Sequence, residues 1–244
     1  MKNTGFVTVL TGSGISAESG IHTFRGDNGL WSKFSPDELA SFEGFYKNPA
    51  RVMEWYEYRR NVILKAKPNP GHFAIAEIEK YVQNFYLITQ NIDRLHQKAG
   101  SRNVIELHGN IMENYCIKCG KMFSLEEFEK IYNESSDRIP KCECKGLIRP
   151  NVVWFGEQLP EDAVEKAYYA SVNCDLFIIV GTSGAVRPAS DFPRYAKYNG
   201  AYIIEVNPCR SFLTDFVDLW FEGKAGEILP EFVEEFKNLK GING

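Results

Sequence analysis

Near its amino end the chain reads Phe6-Val7-Thr8-Val9-Leu10-Thr11-Gly12-Ser13-Gly14-Ile15-Ser16-Ala17, an apolar run followed by a turn with two glycines. A buried strand that leads into such a turn and then into a helix is typical of a pyrophosphate site. Gly12 permits the tight turn, Gly14 lets the backbone approach the ligand, and the small Ala17 lets the helix pack closely. Free N–H groups at the helix start then face the anion. A plain strand-to-helix connector has the same pattern, so the turn alone leaves that alternative open.

The residues after this turn do not continue as in a dehydrogenase. A dehydrogenase has a second strand followed by an acidic residue about 20 positions on, which binds the ribose. Residues 19–29 instead read Ser-Gly-Ile-His-Thr-Phe-Arg-Gly-Asp-Asn-Gly, which is the composition of a loop. A long loop beside a phosphate site is typical of an active-site cover. A simple hydride-transfer enzyme is therefore disfavoured.

Composition narrows the class of protein. The 244 residues suffice for one large domain, or for one domain with a smaller one beside it. A charged fraction of 25% and a hydrophobic fraction of 44% are ordinary for a soluble globular protein. The net charge of −4 argues against a nucleic-acid-binding face and against an anionic membrane surface as partner. Because the sequence has no run long enough to span a membrane and no signal-peptide core, we expect a cytoplasmic protein with reduced cysteines.

Five short apolar runs predict buried parallel strands, and each is followed at once by small or polar residues. The runs are Phe6–Leu10, Phe85–Ile88, Val104–Leu107, Leu176–Val180 and Tyr202–Val206. In an open parallel sheet with right-handed crossovers, the carboxyl ends of the strands lie along one edge, where ligands bind. We therefore expect one cleft whose lining includes Gly14, Gln90, Asn91, Asp93, His108, Ser183 and Asn207.

Four cysteines form a metal-binding pattern. Cys116-Ile117-Lys118-Cys119 is followed, after 22 intervening residues, by Cys142-Glu143-Cys144. A Cys-x-x-Cys hook with a second close pair predicts a tetrahedral zinc site, and four thiolates leave no open coordination position, so the metal is structural. A redox pair is the alternative for Cys116 and Cys119, but that chemistry does not need Cys142 and Cys144.

The segments between the strands predict helices. Ser35-Pro36 and Asn48-Pro49 are helix-start signals, and the second begins a helix that reaches about Leu64. The fold class is thus α/β: a Rossmann-like open parallel sheet with helices on both faces, plus a small zinc-binding module and a helical insertion. The predicted divisions are 1–34, 66–110 and 152–244 for the Rossmann-like domain, 35–65 for the helical module and 111–151 for the zinc-binding module.

These stretches resemble the sirtuin family of NAD-dependent protein deacylases over nearly the whole chain. The resemblance is carried by the four cysteines and by Gly12–Gly26, Thr89–Gly100, Glu106–Gly109, Arg149–Glu157, Gly181–Ser183 and Asn207-Pro208. Two residues depart from the family pattern, since Ser13 replaces the usual alanine and His22 the usual proline. The resemblance implies NAD as cofactor, structural zinc, and removal of acyl groups from protein lysines with release of nicotinamide and O-acyl-ADP-ribose.

The resemblance also implies roles for single residues. The catalytic residues would be Asn91 and His108, with His108 as the base that takes a proton from a ribose hydroxyl. An imidazole near its ordinary pKa of about 6.5 suits that role, and a cap at a strand end is the alternative. The implied cofactor-binding residues are Gly12, Ser13, Gly14, Ala17, Phe24, Arg25, Gln90, Asn91, Ile92, Asp93, Gly181, Thr182, Ser183, Asn207 and Ala225.

Arg59 is a candidate for binding part of the substrate. The spacing of apolar residues in the helix that begins at Asn48 places Arg59 on the apolar stripe, next to Tyr56. A guanidinium that faces inward needs an anionic or hydrogen-bonding partner, which is either a core carboxylate or a ligand. Tyr56-x-x-Arg59 resembles the pair in the class III branch of the family, which implies binding of a succinyl or malonyl carboxylate.

An extended segment provides the remaining substrate residues. Val153, Phe155 and Gly156, with the loop at Gly184, would hold an acyl-lysine peptide by backbone pairing, whereas Val152 and Trp154 are expected to pack in the core. The expected partners are acylated-lysine proteins, without nucleic acid or membrane, and the chain is expected to be a monomer.

Two other functions stay open at this point. NAD hydrolysis or ADP-ribosyl transfer would use Asn91 and His108 without a peptide cleft. A non-catalytic acyl-lysine sensor would bind the same ligands without turnover, although the set of Gln90, Asn91, Asp93 and His108 argues against it.

Overall fold

The computed structural model describes residues 4–24 and 29–241, so the predicted cofactor-binding residue Arg25 lies outside the described residues. The described strands are β1 (Phe6–Thr11), β2 (Asn84–Thr89), β3 (Val104–Glu106), β4 (Gly109–Cys116), β5 (Met122–Phe123), β6 (Ile148–Val152), β7 (Leu176–Val180), β8 (Tyr202–Asn207) and β9 (Leu219–Glu222). The described α-helices are α1 (Leu30–Lys33), α2 (Pro36–Leu39), α3 (Phe42–Lys47), α4 (Pro49–Lys65), α5 (Pro70–Ile78), α6 (Leu95–Lys98), α7 (Leu125–Glu134), α8 (Glu161–Asn173), α9 (Phe192–Tyr198) and α10 (Ala225–Lys240).

Six strands form a parallel sheet in the order β3-β2-β1-β7-β8-β9. All five predicted strands are in this sheet, and β9 is a sixth at its edge. Counted within the sheet, the order is 3-2-1-4-5-6, the doubly-wound order, which reverses direction between β1 and β7. The carboxyl ends of β1 and β7 therefore flank a crevice, because the connections that follow them leave toward opposite sides.

Helices cover both faces because the central strands are apolar on both sides. Val7 and Val9 of β1 belong to a buried cluster that includes residues of α5 and α10. Leu10, on the opposite face of the same strand, belongs to a second cluster with residues of α8 and α9. These clusters confirm the predicted α/β fold with helices on both faces of an open parallel sheet.

A second sheet lies beside the first and is antiparallel, with the order β5-β4-β6. Its core is shared with the short helices that precede α5, since Phe45 of α3, Ile111 of β4 and Phe128 of α7 belong to one buried cluster. The predicted helical module 35–65 and zinc-binding module 111–151 are therefore packed on each other through a common core.

Arg60 joins these two modules from within. Its Nε donates to the carbonyl oxygen of Ile111 at 3.1 Å, and its Nη2 donates to Asn114 Oδ1 at 3.0 Å. The guanidinium also lies over the ring of Phe128, 4.8 Å from the ring centroid. A buried arginine with these contacts has its donors largely satisfied, so it acts here as a structural residue.

Capping side chains at the first residues account for the starts of two helices. Asn48 Oδ1 accepts a hydrogen bond from the N–H of Arg51 at the start of α4, and Asn69 forms a capping box with His72 at the start of α5. The segment after the first glycine turn, where a helix start was predicted, is the short 3-10 helix Ser13–Ser19. Within residues 4–24 and 29–241, no helix has both the length and the apolar character needed to cross a membrane.

Candidate active site

A cavity of about 1500 Å³ opens at the carboxyl ends of the parallel strands, between the large sheet and the second sheet with α4. Its lining draws on distant parts of the chain, as expected at the switch point of a doubly-wound sheet. The predicted site residues that line it are Gly12, Ser13, Gly14, Ala17, Phe24, Tyr56, Arg59, Gln90, Asn91, Ile92, His108, Val153, Phe155, Gly156, Gly181, Thr182, Ser183, Asn207 and Ala225.

Two residues expected at the cleft, Asp93 and Gly184, are not part of its lining. Asp93 is only 4% exposed, and its carboxylate accepts hydrogen bonds from the Ser16 hydroxyl at 2.7 Å and the Leu95 N–H at 2.9 Å. Gly184 is a turn residue with a φ of 70° that packs against Leu213. A sequence pattern places a residue after a strand but does not say whether its side chain points into the cleft or behind it.

The two glycine turns contact each other through their backbones. A Cβ at Gly14 would lie 2.6 Å from the carbonyl oxygen of Gly181, and a Cβ at Gly12 would lie 2.8 Å from the same atom. The N–H groups of Gly12 and Gly14 donate to the carbonyl oxygens of Val180 and Gly181, at 3.0 and 2.8 Å. These two N–H groups are therefore used within the protein and are not free donors for an anion. The glycines are needed because any side chain here would keep the ends of β1 and β7 apart.

Asn91 is held in one orientation by the residues behind it. Its Nδ2 donates to the carbonyl oxygen of Gly12 at 3.1 Å and to Ser16 Oγ at 3.2 Å, while the Ser16 hydroxyl donates onward to Asp93. Both amide hydrogens of Asn91 are thus engaged, which leaves its Oδ1 as an acceptor for a ligand in the cavity. Burial raises the pKa of Asp93, and the hydrogen bonds from Leu95 and Ser16 oppose that rise.

His108 has its two ring nitrogens in different surroundings. Nδ1 lies 3.0 Å from the backbone carbonyl oxygen of Gln90, which can only accept, so Nδ1 carries the hydrogen. This tautomer leaves Nε2 with a lone pair and no hydrogen. Burial lowers the pKa of His108 from its ordinary value, and the Gln90 carbonyl partly opposes the effect. The imidazole is therefore neutral at pH 7, as a general base requires.

Sequence reasoning missed a buried polar chain beneath the site. His96 Nε2 lies 3.0 Å from Thr11 Oγ1, and the Thr11 hydroxyl donates to Thr89 Oγ1 at 2.8 Å. Thr89 Oγ1 also accepts from the backbone N–H of Asn91 at 3.1 Å. Thr11 and Thr89 are the last residues of β1 and β2, and a hydroxyl at the end of each of two neighbouring strands was the signal that could have revealed this chain.

Arg59 and Tyr56 face the cavity from α4. The guanidinium of Arg59 lies 4.9 Å from the centroid of the Phe24 ring, and the residue is 5% exposed. No carboxylate of residues 4–24 and 29–241 lies within 4.0 Å of it. Asp93 is a more distant carboxylate whose negative charge favours the charged form of Arg59. Burial lowers the pKa of Arg59, but a guanidinium stays charged at neutral pH. The cavity therefore contains a buried cation that has no contact ion pair among the described residues.

The four cysteines converge away from the cavity. Their sulfur atoms all lie within 4.8 Å of one another, with 3.4 Å between Cys116 and Cys144 and 3.8 Å between Cys119 and Cys142. Four sulfurs at about 2.3 Å from a tetrahedral zinc ion lie about 3.8 Å apart, so the arrangement fits zinc. A Cβ at Gly146 would meet Cys116 Sγ at 2.6 Å, so this turn is shaped around the cluster. The four thiolates would hold a structural ion.

The chain is similar to proteins of one family along its length. The model of the Sir2 family matches residues 12–188. The NAD-dependent protein deacylase of Aquifex aeolicus is 51% identical over 246 residues, which cover 100% of both chains. That of Pyrococcus abyssi is 47% identical and covers 94% of this chain and 92% of its own length.

Solved structures show the same fold. The crystal structure of a Sir2 homologue with NAD is 43% identical, with a TM-score of 0.89 over 98% of this chain and 92% of that one. A Sir2 structure with a p53 peptide and NAD+ is 36% identical, with a TM-score of 0.86 over 98% of this chain and 95% of that one.

We expect the purified protein to contain about one zinc ion per chain and Cys142→Ser to lose it, because a serine hydroxyl is a poor replacement for a zinc-bound thiolate. Elemental analysis measures the zinc, and thermal denaturation measures the accompanying loss of stability. Cys174→Ser is the matched control, since Cys174 is buried outside the cluster. Full zinc content in Cys142→Ser would contradict the assignment.

Proposed function

This chain belongs to the Sir2 family, and we propose that its cavity binds NAD beside the acylated lysine of a protein substrate. The chain is an NAD-dependent protein deacylase, an enzyme that removes acyl groups from protein lysines. The main support for this position of NAD and the acyl-lysine is that one cavity is lined by Asn91, the neutral His108 and the two glycine turns.

NAD, when bound, supplies the ADP-ribose that accepts the acyl group as nicotinamide leaves. We assign its pyrophosphate to the turn Gly12–Gly14 and to Ser183, and its adenosine to Asn207 and Ala225, all of which line the cavity. Asn207 Nδ2 donates to the carbonyl oxygen of Thr182 at 2.8 Å, which ties the end of β8 to the turn after β7. Phe24, which also lines the cavity, would cover the reacting centre. The cofactor-binding role of Arg25, outside the described residues, stays a prediction.

Asn91 and Gln90 are assigned to the nicotinamide ribose and carboxamide. With both amide hydrogens engaged, Asn91 presents its Oδ1 as an acceptor for an N–H or O–H group of the ligand. Asp93, in this proposal, acts through Ser16 rather than by contact, because its carboxylate accepts the hydrogen that frees Ser16 Oγ to accept from Asn91.

His108 is assigned as the general base. Its Nε2 lone pair would take a proton from a ribose hydroxyl, which makes that oxygen a nucleophile toward the acyl carbon. The hydrogen bond from Nδ1 to the Gln90 carbonyl holds the ring in the required tautomer and stabilises the charge that appears when Nε2 is protonated.

We assign Val153, Phe155 and Gly156 as a wall for the substrate peptide. The N–H groups of Val153 and Phe155 donate to the carbonyl oxygens of His108 and Ala40, at 3.0 and 2.8 Å, which fixes this wall beside the base. An extended peptide between this segment and the Gly184 loop would be recognised with little reading of side chains. Acylated-lysine proteins are the partners in this proposal; a monomeric state and a cytoplasmic location stay predictions.

We assign Tyr56 and Arg59 to the acyl group, and propose that the enzyme removes succinyl or malonyl groups at least as well as acetyl groups. The support is the buried guanidinium at the cavity wall, which has no contact ion pair within residues 4–24 and 29–241. A carboxylate at the end of the acyl chain would form a direct ion pair there, with charge-assisted hydrogen bonds from Arg59.

We expect nicotinamide to be released from NAD only in the presence of an acyl-lysine peptide, with O-acyl-ADP-ribose as the second product. Mass spectrometry of products from a mixed acyl-peptide panel measures both. Nicotinamide release without peptide would indicate an NAD glycohydrolase, and ADP-ribose attached to protein would indicate a transferase. Binding of NAD and peptide without turnover would indicate a sensor.

For His108→Ala we expect kcat to fall by about 10²–10⁴-fold, with the affinity for NAD retained, because the variant lacks the base but keeps the cofactor contacts. In the wild type, activity should be full where His108 is neutral and fall as the pH drops through its lowered pKa. The acid limb of kcat/KM should therefore lie below 6.5, the ordinary pKa of histidine. An acid limb above that value would contradict the assignment.

Arg59→Met should lower kcat/KM for a succinyl peptide by about ten- to hundredfold, since hydrogen bonds to a charged group are worth about 1.5–3 kcal/mol. Turnover of the matched acetyl peptide should change little. Arg51→Met, at an exposed position of the same helix, is the control. The acyl assignment is wrong if succinyl turnover is absent in the wild type or survives Arg59→Met unchanged.

A further inference from the structure

Trp154 is locked in place where the helical and zinc-binding modules meet the cavity. Its ring lies 5.4 Å from that of Phe42 and 5.1 Å from that of Phe45, measured between ring centroids, and the Arg149 guanidinium covers its face. Its backbone N–H donates to Glu157, and the Glu157 carboxylate also accepts from Arg149. The residue is 2% exposed, so the sequence-based expectation of a core position is met, and the indole has one direction in which to point its N–H.

That indole N–H donates to the hydroxyl of Tyr56, with 2.8 Å between Nε1 and Oη. A phenol hydroxyl has one hydrogen to donate and an oxygen that accepts, and here Trp154 occupies the accepting side. Within residues 4–24 and 29–241, no acceptor for the hydroxyl hydrogen of Tyr56 lies within hydrogen-bond distance. Burial raises the pKa of Tyr56 to about 12, so the hydrogen is retained at neutral pH.

We propose that Trp154 is a positioning residue for acyl specificity, which makes the Tyr56 hydroxyl a fixed hydrogen-bond donor toward the anionic end of the acyl group. This inference rests on the proposed acyl function of Tyr56 and Arg59. A carboxylate only accepts hydrogen bonds, so it matches a pocket in which both residues donate. The methyl end of an acetyl group accepts none, and its turnover does not depend on where the hydroxyl points.

Trp154→Phe tests the proposal, because it keeps an aromatic ring in the core and removes the N–H. We expect KM for the succinyl peptide to rise about three- to tenfold, the effect of one hydrogen bond, with kcat unchanged. The kinetics of the matched acetyl peptide should stay within about twofold. An equal loss for both acyl groups would indicate a purely structural role and overturn the proposal.

A double variant separates the indole N–H from the packing of the ring. If Trp154 acts through the Tyr56 hydroxyl, then Trp154→Phe has no further effect on the succinyl KM in the background of Tyr56→Phe, which lacks that hydroxyl. A rise in KM that persists in this background would overturn the proposal. If Trp154→Phe melts early, 3-benzothienylalanine at position 154, which has nearly the shape of tryptophan without the N–H, is expected to show the same selective rise.

The outcome also distinguishes this inference from the function on which it rests. If the wild type removes neither succinyl nor malonyl groups, the acyl function fails and the role of Trp154 fails with it. If the wild type and Arg59→Met behave as expected while Trp154→Phe leaves the succinyl KM unchanged, only the role of Trp154 is overturned.

Discussion

The backbone contact between the turn after β1 and the turn after β7 is the constraint on which the site depends. No Cβ fits at Gly12, Gly14 or Gly181, because carbonyl or amide atoms of the facing turn lie within 3.0 Å of where it would be. This contact brings the carboxyl ends of β1 and β7 together at the switch point of the sheet. Thr182 then ties in two further strand ends, since its hydroxyl accepts from Gln90 Nε2 at 3.0 Å and its carbonyl accepts from Asn207.

Polar groups behind the crevice fix the direction of those in front. Two chains of hydrogen bonds converge on Asn91. One runs from Thr11 through Thr89 to the backbone N–H of Asn91. The other runs from Asp93 through Ser16 to the side-chain amide of Asn91. An amide held from both sides presents its oxygen without reorganisation when a ligand arrives, which is the condition for strong electrostatic stabilisation. Burying so many polar groups is tolerable because nearly all are paired; an exception is His96 Nδ1, which has no partner within the described part of the chain.

The sequence predicted those features that follow from periodicity and composition. Leu176–Val180 reads as a strand because its apolar run is five residues long and is buried on both faces. β9 was missed because its apolar run, Leu219–Phe221, is short and lies between Asp218 and Glu222. Helix α10 was missed in part because Pro230 lies inside it. The sequence could not predict the directions in which side chains point. The position of Asp93 after β2 was evident, but its contact with Ser16, 77 residues away in the chain, depends on how the turns pack.

Arg59 is already buried before any ligand binds, and this burial would explain how α4 sets the proposed acyl preference. Removing a guanidinium from water costs several kcal/mol unless it is paired. Within the described part of the chain, Arg59 lies over the rings of Phe24 and Trp55 and has no carboxylate within 4.0 Å. This desolvation cost arises when the protein folds, and it is tolerable because a delocalised guanidinium is weakly hydrated and stacks on aromatic rings. In the proposed function, an anionic acyl group would gain a counter-ion whose desolvation is already complete, which is preorganisation in favour of that ligand. A neutral acyl group would gain nothing from the same cation, so the proposed preference would follow from electrostatics and not from the size of the pocket.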